Sequence, residues 1–207
     1  MAGAAANKLT SLGIHVIVVG RNAQRGENTV AEIRAAGGEA DFISSDLRDA
    51  SRAREVARKA IELGNGHVDI LINNAGIYPF WPTHEMTEGL FESVYSLNVK
   101  VPYFLVAELA PLMAKRGKGA IVNLLTKVWA AEYGPSGVRV NAVSPGTTRT
   151  EGTEAMGEAL QQLAAQAPAG RPATADEVAE AIVFLATDRA SFIHGVTLAV
   201  DGGRTAV

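Results

Sequence analysis

Short apolar runs alternate with longer helix-like segments along the whole chain, and this alternation is the strongest constraint on its fold. The predicted strands are His15–Gly20, Glu39–Asp46, Val68–Gly76, "GAIVNLL" from Gly119, "VRVNAVSPG" from Val138, and Gly195–Val200. Nearly continuous apolar strands that each lead into a helix indicate a parallel sheet covered by helices on both faces. We therefore predict an α/β fold with a Rossmann-like, doubly wound parallel sheet, forming a single domain over residues 1–207.

Composition narrows the class of protein. The net charge of −3, without blocks of like charge, argues against binding to nucleic acid or to an anionic membrane. The absence of cysteine excludes disulfides and thiolate metal sites. The four histidines are scattered without ligand spacing, so no metal site is expected. No signal peptide is recognised and no run approaches the length of a bilayer span, which predicts a soluble, cytoplasmic protein.

The informative residues are those that follow the strands, because open parallel sheets bind ligands beyond the carboxyl ends of their strands. Arg21 follows the first predicted strand, where an arginine accommodates a 2′-phosphate on a dinucleotide, although a solvated loop arginine is an alternative. Asp46 is either a ligand contact or a turn or helix cap. The small residues of "NNAG", Asn73–Gly76, either allow close approach of a ligand or form a simple turn.

Taken together in order, several motifs carry a family resemblance. They are "DILINNAG", "SLNVK", "AAEYGPSGVRVNAVSPG", "GRPATADEVAEAIVFLATDRASFIHG" and "VDGG". In these motifs the chain resembles the short-chain dehydrogenase/reductase family over nearly its whole length. The resemblance implies a Rossmann-like domain that transfers hydride between a nicotinamide cofactor and a small carbonyl or alcohol. It also implies a homodimer or homotetramer packed through helices and the C-terminal strand.

The resemblance further implies cofactor contacts at the ends of the strands. Asp46 and Leu47 are expected at the adenine, and Asn74, Ala75 and Gly76 at the adenosine ribose. The residues expected at the nicotinamide end are Pro145, Gly146, Thr148 and Thr150. Arg21, assisted by Asn22, stands where NAD-preferring members have an acidic residue, so NADP is the expected cofactor and NAD the alternative.

Asn98 is the one catalytic residue that the resemblance transfers to this chain. In the family, the backbone carbonyl of this helix asparagine holds a water of a proton relay. Pro102 lies four residues later and has no N–H to donate, so a helical Asn98 would keep its carbonyl free for water. The alternative interpretation is an ordinary kinked helix.

Two family segments are absent from the sequence. There is no first strand with a Gly-rich phosphate turn, and no tyrosine is followed four residues later by lysine. Lys127 and Tyr133 are six residues apart, roughly 240° around a helix, so they do not share a face. Carbonyl reduction needs a proton donor whose pKa lies near the working pH, and the resemblance implies a tyrosine with a lysine beside it for this role. The sequence contains no such donor.

The first absence also concerns the fold, because that strand lies at the middle of a doubly wound sheet. Its loss is expected to leave two strands roughly 9–10 Å apart, with unpaired main-chain groups facing each other. Either the molecule contains segments that the sequence lacks, or it is a deleted, inactive relative that folds differently or only with help.

For function, the leading hypothesis is an NADP(H)-dependent oxidoreductase. The alternative is a catalytically inactive scaffold that binds partners without turnover. Tyr78, Phe80 and Trp81 are predicted either to form an apolar substrate wall or to pack elsewhere, and Thr150–Gly170 to form a mostly apolar substrate lid.

Overall fold

A computed structural model of the chain describes residues 2–77, 79, 82–122 and 126–206. Its strands form a two-stranded sheet and a four-stranded sheet, and every strand pair is parallel. The strands are Val16–Gly20 (β1), Ala40–Ser44 (β2), Ile70–Ile72 (β3), Gly119–Val122 (β4), Val138–Pro145 (β5) and Thr197–Val200 (β6). The first sheet has the order β1-β2 and the second the order β3-β4-β5-β6.

Helices cover both faces of these sheets. Within the described residues they are Ala2–Ser11 (α1), Ala23–Ala35 (α2), Ala50–Leu63 (α3), Glu88–Tyr95 (α4), Val101–Arg116 (α5), Thr126–Tyr133 (α6), Glu151–Glu154 (α7), Glu158–Ala164 (α8) and Ala175–Ala186 (α9). One layer contains α1, α2 and α9, and the other contains α3, α5 and α6. The predicted α/β fold with a Rossmann-like arrangement in a single domain is confirmed.

Helix packing, rather than strand pairing, joins the two sheets. On one face, α1 contacts both halves: Ala5 packs with Val178 and Ile182 of α9, and Ala6 packs with Val30 of α2. Lys8 of α1 also donates to a carboxylate oxygen of α9 at 2.7 Å. On the other face, α3 contacts β1 and β2 and packs on α5, which lies against β4 and β5. The expected interruption of the sheet is therefore present, with helices spanning it on both faces.

Two glycines allow the starts of β4 and β5 to lie side by side. Gly117 ends α5 with a left-handed φ of 67°, and Gly137 precedes β5 with a φ of 77°. A Cβ added to Gly137 would lie 2.2 Å from the carbonyl oxygen of Gly117. A side chain is therefore excluded at Gly137 both by backbone conformation and by contact with a neighbouring main chain.

We predict that Gly137→Ala destabilises the protein by at least about 2 kcal/mol more than Gly13→Ala, because overpacking against a main-chain atom adds to the strain. Gly13 is the matched control: its φ is 76°, and an added Cβ meets nothing within 4 Å. That control is expected to cost only the left-handed strain of about 1–2 kcal/mol. Urea unfolding gives the free energy of unfolding of both variants. Equal decreases in the two variants would contradict the close contact between Gly137 and the Gly117 carbonyl.

A buried arginine fixes the end of α9 against β5. Arg139 is 8% exposed, and its guanidinium donates to the carbonyls of Leu185, Ala186, Thr187 and Ala190 at 2.7–3.2 Å. Burial lowers the pKa of Arg139, but an arginine remains protonated under such conditions. These carbonyls lie at the negative end of the helix, so the cation satisfies acceptors that the helix leaves free.

Several element boundaries differ from the prediction. The paired strands β2 and β3 are shorter than the predicted Glu39–Asp46 and Val68–Gly76, and each of them is paired on one side only. After β5 the chain forms three α-helices, α7, α8 and α9.

The expectation that no run approaches the length of a bilayer span is wrong for one helix. Glu88–Arg116 is continuously helical over 29 residues, with a mean hydropathy of 1.2 in its most apolar window. Its α5 part buries Val101, Leu105, Leu109 and Met113 in the core beneath the sheets, which accounts for the apolar composition.

Candidate functional site

A large cavity lies between the two sheets, in the position where a further strand would fit. We call it the inter-sheet slot: its walls are β1 and β3, one face is covered by α1, and the other by α3 and α5. Its volume is about 1930 Å³. All residues of β1 and β3 are partly exposed, whereas all residues of β4 are buried. The slot therefore exposes strands that would be covered in a continuous sheet.

Several of the predicted cofactor residues gather around this slot. The structure places Arg21, Asn22, Leu47, Asn74, Ala75, Gly76 and Thr150 along its lining. Asp46, Asn98, Pro145, Gly146 and Thr148 are not part of that lining. The residues expected at the adenosine half of a dinucleotide are thus brought together more completely than those expected at the nicotinamide half.

Arg21 presents a free cation at the carboxyl end of β1. It is exposed, and within the described ranges it takes part in no ion pair. The neighbouring Asn22 caps α2, where its Oδ1 accepts the N–H of Arg25 at 2.9 Å. The Asn22 side chain is thereby committed to the helix start, while the positive end of the α2 dipole adds to the field of Arg21.

Asp46 forms an ion pair with a neighbouring arginine and does not cap a helix. Its carboxylate pairs with Arg48, and this contact raises the pKa of the Arg48 guanidinium. The cap of α3 is Asp49, which accepts the N–H of Arg52 at 2.9 Å. Leu47 packs against the main core and lines the slot.

The "NNAG" segment leaves β3 at the carboxyl end of the slot. Asn74 and Ala75 are exposed and Gly76 is partly buried. The Nδ2 of Asn73 is buried and has no hydrogen-bond partner within the described part of the chain. A buried donor without an acceptor is costly, so this amide is the one buried side-chain donor of the described residues that still needs an acceptor.

Asn98 has a positioning role that its sequence position did not indicate. Its Nδ2 donates to the carbonyl of Ile77 at 2.8 Å, and its Oδ1 accepts the Ile77 N–H at 2.9 Å. Asn98 lies within a π-helical turn, Ser96–Lys100, that joins α4 to α5. The side chain thus fixes the segment that follows "NNAG". The relay role of the Asn98 carbonyl stays a prediction.

We predict that Asn98→Asp destabilises the protein by about 1–3 kcal/mol near neutral pH, because one hydrogen bond is lost and a carboxylate faces the Ile77 carbonyl. The protonated carboxyl can donate to that carbonyl, so its folded-state pKa should lie above its unfolded value. Relative to the wild type, the variant should be least impaired at acid pH and lose stability as pH rises through the folded pKa.

Denaturant unfolding across pH tests this prediction. Asn28→Asp, at an exposed site on α2, is the control and should show little such trend. A deficit for Asn98→Asp that does not change with pH would contradict the proposed contact.

At the carboxyl end of β5, the residues expected at the nicotinamide are engaged with each other. Gly146 lies against Asp201, since an added Cβ would be 2.6 Å from its Cα, and its N–H donates to the Val200 carbonyl at 3.0 Å. Thr148 is buried and donates to the Gly146 carbonyl at 2.9 Å. Pro145 pairs in register with Val200 at the end of β5. The glycine is thus required by strand packing, and the contacts of these residues with a nicotinamide remain predictions.

Thr150 begins α7 through a reciprocal cap, in which its N–H donates to Thr153 Oγ1 at 2.8 Å. The next residue, Glu151, pairs with Arg25 of α2. This ion pair holds the start of the predicted lid beside the slot, because both Arg25 and Glu151 line the slot. Sequence reasoning missed Arg25, which has no motif and is placed only by the fold.

Tyr133 does not have the environment of a proton donor. It packs against the main core, and burial, followed by its contact with Glu132, raises its pKa. A general acid that works near neutral pH needs the opposite shift. The side chain of Lys127 and the residues Tyr78, Phe80 and Trp81 of the predicted apolar wall lie outside the described residues.

Comparisons with known proteins agree on the family. The family model "short chain dehydrogenase" matches residues 1–125, and the model "Enoyl-(Acyl carrier protein) reductase" matches residues 120–205. An uncharacterized oxidoreductase of Thermotoga maritima is 35% identical over 226 residues, covering 94% of this chain and 89% of the relative. The chain therefore belongs to the short-chain dehydrogenase/reductase family, as its motifs indicated.

Two solved structures show the same fold. A short chain dehydrogenase/reductase family protein is 41% identical with a TM-score of 0.90, covering 99% of this chain and 92% of its own. A gluconate 5-dehydrogenase from Burkholderia cenocepacia J2315, in complex with NADP and tartrate, is 27% identical with a TM-score of 0.89. The match to it covers 100% of this chain and 91% of that structure.

The alignment with the Thermotoga maritima relative spans more positions than this chain has residues, 226 against 207. That relative therefore has residues inside the aligned region that this chain lacks, in agreement with the two absent segments.

Proposed function

We propose that this chain is an NADP(H)-dependent oxidoreductase that acts on a small carbonyl or alcohol. Membership of the family supports the reaction class, in which a bound nicotinamide supplies or accepts hydride. The observation that carries the cofactor preference is the exposed guanidinium of Arg21 beside the start of α2, which forms no ion pair with any residue that the structure describes. A planar fork of donors at this position suits a 2′-phosphate better than a ribose diol.

The residues of this chain fit the cofactor unevenly. Arg21, Leu47 and Asn74 line one end of the slot, where the adenosine half and its 2′-phosphate are expected. The pyrophosphate has no Gly-rich turn in the sequence. We therefore assign to this chain the binding of the adenosine half, and we derive no proton transfer from its residues.

The cofactor preference can be tested with fragments that need neither the Gly-rich turn nor turnover. We predict that the protein binds adenosine 2′,5′-bisphosphate more tightly than 5′-AMP, and that Arg21→Ala weakens the former by about tenfold or more, the value of a charged hydrogen-bond pair. Arg58→Ala on the exposed face of α3, away from the slot, is the matched control. Calorimetric titration measures the affinity for each fragment. Equal affinities of the wild-type protein for adenosine 2′,5′-bisphosphate and 5′-AMP would contradict the proposed preference for NADP.

A second candidate, a cofactor binder without turnover, is favoured by the raised pKa of Tyr133 and by the missing Tyr-x-x-x-Lys. Measuring NADPH oxidation with a panel of small aldehydes and ketones separates the two. NADPH oxidation that is faster with a substrate than without one supports the oxidoreductase. Binding of the adenosine fragments without NADPH oxidation supports the second candidate.

We also propose that the protein self-associates through the aromatic face of α4 and α5. Phe91 and Tyr95 are 56% and 47% exposed, with ring centroids 6.3 Å apart, and Tyr103 is 48% exposed on the following helix. Exposed aromatic side chains gathered on one surface are typical of protein interfaces.

The cytoplasmic location stays a prediction.

We predict that Phe91→Glu lowers the mass measured by sedimentation equilibrium, because a charge is then placed in the proposed contact. Leu12→Glu is the control, at a residue that is 57% exposed just after α1. A wild-type protein that sediments as a monomer would remove this proposal.

A further inference from the structure

The ion pair of Arg25 and Glu151 joins the first turn of α2 to the start of the predicted lid. Arg25 is the third residue of α2, and its N–H donates to the Oδ1 of the cap residue Asn22 at 2.9 Å. Its guanidinium donates to a carboxylate oxygen of Glu151, the first residue of α7. The two residues are 126 positions apart, so the fold alone brings them together.

This pair is the polar anchor of α7 on α2. The side chain of Thr153 bonds to Thr148 and Thr150, which belong to the same stretch of chain as α7. Among the residues that the structure describes, no other hydrogen bond or ion pair links Glu151–Glu154 to a segment outside 148–157. A group that took the guanidinium away from Glu151 would therefore free the start of the lid.

The charges around Arg25 favour an anion. Arg21 and Arg25 flank the cap of α2, and both line the same cavity as Glu151. The first turn of this 13-residue helix contains no acidic residue, so two guanidinium groups stand at its positive end, where anions are favoured and cations are not. The carboxylate of Glu151 meets this demand with a single charge. A phosphate has more negative charge and more acceptor oxygens, and it bonds to arginine in the same forked manner.

We propose that Glu151 competes with the 2′-phosphate of the cofactor for Arg25. Without cofactor, Arg25 holds Glu151 and with it the start of the lid. A 2′-phosphate bound at Arg21 takes the guanidinium of Arg25 as a second cation, and α7 is released. Glu151 is thus a specificity-determining residue that lowers the affinity for 2′-phosphorylated ligands. This inference rests on the proposed binding of the adenosine half at Arg21.

Calorimetric titration of the full chain with adenosine 2′,5′-bisphosphate and with 5′-AMP tests the competition. Glu151→Gln keeps the size of the side chain and removes its charge. It should tighten binding of the bisphosphate about two- to fivefold, the value of an exposed ion pair, and leave the affinity for 5′-AMP unchanged.

Glu154→Gln is the matched control. It removes the same charge from the same short helix, at an exposed residue that forms no ion pair within the described part of the chain. Both affinities should stay at their wild-type values in this variant.

The same titrations in an Arg25→Gln background separate competition from a general effect of charge. Arg25→Gln should weaken binding of the bisphosphate about threefold or more, because a phosphate bonds to arginine more strongly than the carboxylate does. Adding Glu151→Gln to this variant should change neither affinity, since the competition needs both side chains. The two side chains are 69% and 72% exposed, so neither substitution removes core packing.

Amide hydrogen exchange reports the release of the lid. The Glu154 N–H donates to the Thr150 carbonyl at 3.1 Å at the start of α7. Saturating adenosine 2′,5′-bisphosphate should speed exchange of this amide about twofold or more, whereas 5′-AMP should not. Glu151→Gln should show the faster exchange without any fragment.

The outcomes separate this inference from the proposed function. An unchanged bisphosphate affinity in Glu151→Gln, with the wild type still preferring the bisphosphate to 5′-AMP, would overturn the competition and leave the NADP preference intact. An equal gain in Glu154→Gln would also overturn it, because the effect would then be one of net charge. Equal affinities of the wild type for the two fragments would contradict the proposed function and this inference together.

Discussion

The contact of α1 with both halves of the molecule is the interaction on which the architecture most depends. In an uninterrupted parallel sheet, hydrogen bonds between neighbouring strands hold the two halves together, whereas here they do not cross from β1 to β3. On one face the connection is made by Ala5 against α9 and Ala6 against α2, with the ion pair of Lys8 and Glu180 beside them. Small residues are needed here because the helix must approach two neighbouring helices closely.

This connection explains why the interruption does not spread through the structure. The packing of α3 on α5 and of α1 on α9 buries apolar surface across the gap between the two sheets. Burial of apolar surface is the dominant favourable contribution to folding. The walls of the slot, β1 and β3, stay partly exposed. Main-chain groups that water partly reaches cost less free energy when unpaired than fully buried ones do.

The sequence predicted the strands, the helical layers and the interruption because each depends on local apolar periodicity and on motif order. The sequence did not predict the role of the Asn98 side chain, because its partner Ile77 lies 21 positions away. Asn98 bonds to the main-chain atoms of Ile77, and every residue type has such atoms, so no sequence pattern marks the contact. Nor did it indicate the ion pair of Arg25 with Glu151, which joins residues 126 positions apart. Gly146 shows the same limit: its motif predicted a cofactor contact, which stays a prediction, but gave no sign that Asp201 leaves no room for a side chain.

The two absent segments have different physical consequences, and this difference bears on function. A missing strand can be compensated from outside, because main-chain pairing accepts any extended segment of suitable side chains. A missing proton donor cannot be compensated in the same way, since its action depends on a specific group with a tuned pKa at a fixed position. Tyr133 illustrates the point, because burial moves its pKa away from the range a catalytic acid requires.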